Sequence, residues 1–190
     1  MFLTDKLGFA LLSACFVLQC LLPLSSFRRT VKVFWIAGGV IIGGVLMYWA
    51  SALYWAWQGN EVTRFFLPPY QSSDYFLLYV RRLFAPWIFS LVAGVSLAFV
   101  AHWLNCYCRD RFFEKGEAAL LGLCFFLAGF PTFLWYGVAV LLIGFLLTGV
   151  YAAFHWGRAP LYYWWVPIAM SVIILEQYFI PESVRNLFAL

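Results

Sequence analysis

Eight acidic side chains and two histidines are all that 190 residues offer for proton chemistry, and two of the acids sit in suggestive surroundings. Glu61 opens Glu61-Val62-Thr63-Arg64-Phe65-Phe66-Leu67-Pro68, an acid followed by a basic residue and then a proline. Glu117 closes Glu114-Lys115-Gly116-Glu117 and is followed by Leu120-Leu121-Gly122. Two carboxylates that share one proton across a gap of about 3 Å can activate water, so Glu61 and Glu117 are the candidate partners of a carboxylate dyad. His102 and His155 form a second candidate pair, since neutral imidazoles on two helices can ligate a haem or a metal ion. Neither lies in a diagnostic ligand motif, and both fall near expected span ends where an imidazole reaches headgroups, so no cofactor or metal is expected. Cys15, Cys20, Cys106, Cys108 and Cys124 have no CxxC spacing and read as small apolar fillers. Walker, HExxH and Ser-His-Asp signatures are absent from the sequence, which leaves ATP hydrolysis, zincin chemistry and serine hydrolysis without support.

The elements that must position these residues are membrane helices. With 65% hydrophobic and only 11% charged residues, the chain carries more apolar surface than a soluble domain can hide. Charges punctuate the apolar stretches Leu7–Leu24, Val33–Trp57, Leu83–Leu104, Ala118–Phe130, Phe133–Phe154 and Leu161–Ile180. Most approach the ~20 residues a helix needs to cross ~30 Å of hydrocarbon, and they are continuous where barrel strands would alternate. The expectation is an all-α, polytopic integral membrane protein of about six transmembrane helices in one domain, 1–190. Met1–Leu7 carries Asp5 and Lys6, and Leu7–Leu24 lacks a clear cleavage site, so the first stretch reads as a retained helix.

Orientation follows Lys and Arg. Arg28, Arg29, Lys32, Arg109, Arg111, Lys115 and Arg158 collect on one side of a six-span layout, against Lys6, Arg64, Arg81, Arg82 and Arg185 on the other. The richer side is cytoplasmic by the positive-inside tendency, which puts both termini outside. The net charge of +4 is this loop bias and calls for no nucleic acid. The break at 58–83 then becomes an outer loop, whose apolar runs suggest an interfacial or re-entrant helix. Trp55, Trp57, Trp87, Trp103, Trp164 and Trp165 read as interfacial anchors, and Glu176, close to Pro181, as an acid near the outer headgroups. Gly129-Phe130-Pro131 marks a tight turn between two helices. Gly39 and Gly43, four residues apart, give the second span a small-residue face that lets another helix approach closely, within the chain or from a partner.

The stretch from Glu114 to the end of the last apolar run resembles the C-terminal half of the type IV prepilin peptidases, membrane aspartyl proteases with a GxGD motif. The resemblance rests on Gly116-Glu117, Leu120-Leu121-Gly122, Gly129, the glycine-containing helix through Gly144 and Gly149, the basic turn at Arg158, and Pro160 and Pro167. It implies a multi-span fold with Glu117 standing at the motif's acid and Glu61 at the family's first catalytic Asp. This chain departs from the pattern, with Glu in both acid positions, Glu114 at the motif's first glycine and Ala119 where the family has Lys. An extra methylene on each arm disturbs dyad geometry, and a displacement of ~1 Å can cost on the order of a hundredfold in rate. Only Leu83–Leu104 is a convincing span between the two acids, which sets them on opposite membrane sides. The resulting expectation is a multi-pass inner-membrane structural or assembly subunit of an envelope machine of pilus or secretion type, prepilin-peptidase-like but without protease activity. Its partners would be the lipid bilayer and other membrane protein subunits. The alternatives are an active carboxylate-dyad peptidase and a haem- or ion-handling membrane carrier.

Overall fold

The computed structural model describes residues 3–69, 74–108, 113–114, 116–154 and 161–179, with backbone alone at 3–5, 24–25, 177 and 179. His155, Arg109, Arg111, Lys115, Arg158, Pro160 and Arg185 lie outside the described residues. Every regular element described is helical: α1 (Leu3–Leu21), α2 (Leu24–Gln58), a 3-10 turn at Thr63–Phe66, α3 (Asp74–Tyr107), α4 (Glu117–Ala128), α5 (Thr132–Ala153), a second 3-10 turn at Leu161–Tyr163 and α6 (Trp165–Phe179). Three helices are long and apolar enough to cross a membrane, at Ser26–Gln58, Asp74–Tyr107 and Thr132–Ala153. The remaining apolar helices are shorter, and α4, at 12 residues, rises only about 18 Å.

Local chemistry sets the boundaries. Pro23 holds an extended backbone (φ −63°, ψ 149°) that ends α1 and starts α2. Helix α3 begins at Asp74 and runs straight through Arg81 and Arg82, so the apolar run beginning at Tyr75 forms its opening turns and no separate re-entrant helix stands there. Pro86 lies inside α3, where it removes one backbone donor. The Ser90 hydroxyl donates to the Pro86 carbonyl at 2.8 Å one turn later. Gly129 adopts φ 77° between α4 and α5, a left-handed backbone that a side chain would strain, and it closes the turn expected there.

Helix α4 is the centre of the bundle and touches α1, α2, α3, α5 and α6. Leu120, Leu121, Leu123, Cys124, Phe126 and Leu127 point to different sides of it and are all buried, as expected of a helix that is apolar all round. Its closest neighbour is α3, where Gly94 opposes Gly122. A Cβ on Gly94 would lie 2.5 Å from the Gly122 carbonyl oxygen, and one on Gly122 would collide with the Gly94 carbonyl. Gly8 of α1 likewise lies against the Leu127 carbonyl. On α2, Gly38 faces Leu127 and Phe126, and the Trp35 indole both stacks on Phe126 (5.7 Å) and donates to the Ala119 carbonyl at 3.0 Å. Gly39 and Gly43 meet nothing within 4 Å, so the glycine face singled out by spacing is turned away from the bundle.

Candidate functional site

Glu117 is the first residue of α4 and is only 3% exposed. The chain enters through Gly116 in the left-handed region (φ 91°), which turns the Glu117 side chain back toward the preceding segment. The Glu114 backbone N–H donates to Oε2 at 2.8 Å, and the Trp165 indole Nε1–H donates to Oε1 at 2.9 Å. These two partners are N–H donors, which a carboxylate oxygen accepts from directly. The positive end of α4 adds a further favourable field for a negative side chain there. The arrangement continues inward, because the Tyr136 hydroxyl of α5 donates to the Trp165 carbonyl at 3.1 Å. Glu117 thereby joins α4 to α6, and Tyr136 joins α5 to the same tryptophan.

The same end of the bundle gathers other polar groups. Asn105, near the end of α3, both donates to the Phe113 carbonyl and accepts from the Phe113 N–H at 2.8 Å, holding the entry segment of α4. The Gln19 amide nitrogen at the end of α1 donates to the Tyr162 carbonyl at 2.8 Å. The Phe27 and Tyr162 rings meet edge to face at 5.6 Å. Arg28 lies over Gly116, with its Cγ 3.1 Å from where a Cβ would stand. Three buried atoms here make no hydrogen bond among the described residues: Gln19 Oε1, Arg28 Nε and Tyr162 Oη. Left unsatisfied, such groups cost on the order of 1–3 kcal/mol each.

Glu61 is elsewhere. It is exposed in the turn after α2, next to the 3-10 turn whose Phe66 ring meets Tyr75 at the start of α3 at 5.1 Å. Glu117 lies beyond Gly122, which opposes Gly94 and Ala98, and so stands at the level of the C-terminal third of α3. Along α3 the rise from Tyr75 to Ala101 is roughly 39 Å. The two candidate acids therefore occupy opposite ends of one long helix, far beyond the ~3 Å that a shared proton requires.

Other sequence-derived candidates divide in the same way. His102 and Cys106 are exposed on α3 with Nε2 and Sγ 3.7 Å apart, while His155 lies outside the described residues. Among the described residues no cluster of three or more His, Cys, Asp and Glu side chains is placed to hold a metal ion. Trp165 and Trp87, expected as interfacial anchors, are instead buried at 2% and 7% exposure, whereas Trp55, Trp103 and Trp164 are exposed. Glu176, expected near headgroups, is also buried in α6. Burial wins at Trp165 because its indole N–H has a carboxylate to donate to. Gln19, Asn105 and Tyr162 were not singled out from the sequence, and Arg28 entered only as one of the charges that set orientation. A signal did exist for two of them, as Gln19 and Asn105 are isolated polar residues in apolar runs.

Comparison of the chain with models of known protein families, with curated proteins and with solved structures finds no match.

Proposed function

We propose that this chain is a multi-pass inner-membrane subunit of an envelope machine of pilus or secretion type, serving assembly through a prepilin-peptidase-like scaffold without protease chemistry. The observation that carries the reading is the use made of Glu117. Both of its oxygens are engaged by N–H donors of its own bundle, and the second acid of the supposed dyad is at the far end of α3. A carboxylate committed to holding helices together is poorly suited to activating water. In this reading α1, α4 and α6 also lie within the bilayer beside the three long helices, making about six spans with both termini outside. The exposed Gly39 and Gly43 face of α2 supplies a surface on which a helix of another subunit can pack closely.

The test has two arms. Purified protein incubated with prepilin-like peptides in lipid is expected to give no cleavage product that depends on Glu117, and a product lost in Glu117→Gln would establish the peptidase alternative instead. Gly39→Leu and Gly43→Leu are expected to reduce the native complex mass while leaving the chain's own thermal stability unchanged. Unchanged complex mass in both variants would remove the assembly surface from the account.

A further inference from the structure

We infer that His102 and Cys106 of α3 form a chelating site for a zinc-like divalent cation, on the outer face of that helix at the polar end of the bundle. The two residues are four apart, hence stacked on one face, and both are exposed, with His102 Nε2 and Cys106 Sγ 3.7 Å from each other. Between them Asn105 is buried and exchanges two 2.8 Å hydrogen bonds with the Phe113 backbone, which pins the turn that carries the pair. Gly94 packs against Phe126 and Ala98 against Gly122, so α4 runs antiparallel to α3 and His102 stands near the level of Glu117.

The separation selects the geometry. A tetrahedral ion bound at ~2.3 Å to a thiolate and at ~2.0–2.1 Å to an imidazole holds the two ligand atoms ~3.6 Å apart, whereas a linear two-ligand site sets them ~4.3 Å apart. The observed 3.7 Å matches the tetrahedral edge. The donor set selects the ion, because a thiolate and a neutral imidazole suit zinc, while magnesium and calcium take oxygen ligands. On binding, the thiol releases its proton to solvent, the Sγ–metal and Nε2–metal bonds form, and the direct contact between sulfur and nitrogen gives way to the ion. Both side chains are exposed, so the other two positions of the tetrahedron face away from the helix and stay open to a further ligand. Neither residue belongs to the Glu117 cluster, and the site does not rest on the function proposed above.

Alkylation reads the thiol directly. In the full chain in detergent carrying Cys20→Ser and Cys108→Ser, Cys106 is the thiol that iodoacetamide reaches, since Cys15 and Cys124 are buried. A metal-bound thiolate is shielded from the reagent, so micromolar zinc is expected to slow the reaction by about tenfold or more. Adding His102→Ala, again at an exposed position, removes one arm of the chelate, and half-protection should then need on the order of tenfold more zinc. Magnesium at the same concentration is expected to leave the rate unchanged. A rate that zinc does not alter overturns the inference. So does equal zinc protection with and without His102, because the thiol would then bind the ion alone.

Discussion

Glu117 shows how one residue can look catalytic in a sequence and act as a fastener in the fold. Its neighbours Gly116 and Leu120-Leu121-Gly122 suggest an acid presented for chemistry, but Gly116 in its left-handed conformation turns the carboxylate onto the Glu114 N–H and the Trp165 indole. Glu117→Gln keeps an oxygen for one donor and faces the other with an amide N–H. It should therefore cost on the order of 1–3 kcal/mol of stability, read as a lower melting temperature in detergent. Trp165→Phe removes the donor from the other side, and the double variant should cost less than the sum of the two, since both break one contact. Strictly additive losses would mean that the pair does not act as a unit. Glu117 was legible in the sequence as an important acid, but its partner was not. Trp165 lies 48 residues away and shares its residue type with nine other tryptophans that a membrane interface could equally employ.

At the scale of the elements, the informative contrast is between two sets of glycines. Gly39 and Gly43 have the spacing of a packing face and touch nothing, whereas Gly94 and Gly122 lie on different helices and let α3 and α4 meet backbone to backbone. A leucine at Gly94 or Gly122 has no flexible side chain to push aside. Overpacking of at least ~1–3 kcal/mol is expected there, with loss of the folded monomer in a detergent melting and gel-filtration assay. Leucine at Gly39 or Gly43 should leave monomer stability within error. The reverse ranking would mean that the α3–α4 contact is not what sets the bundle. Spacing within one helix can reveal a small-residue face but cannot say which way it points, and in a bilayer the usual arbiter fails because lipid-facing and core-facing positions are both apolar. The start of α3 was misread for a related reason. Arg81 and Arg82 interrupt the hydrophobic run without interrupting the helix, as arginine is a good helix former.

For the whole molecule, composition and continuous apolar runs were enough to establish an all-helical chain with helices that can cross a membrane. The identity of the core was not legible, because α4 is as apolar as the helices around it and differs mainly in being short and enclosed on every side. The distance between Glu61 and Glu117 is likewise a property of the assembled fold. It follows from α3 running unbroken from Asp74 to Tyr107, with α4 packed back along the C-terminal part of α3. Everything proposed about function turns on that separation. In a cysteine-free background, single cysteines at exposed positions 61 and 114 can be probed with a membrane-impermeant thiol reagent in sealed inverted and right-side-out vesicles. Labelling of the two positions from opposite sides is the predicted result. Labelling of both from the cytoplasmic side would bring the acids to one face, contradict the scaffold account and restore the carboxylate dyad.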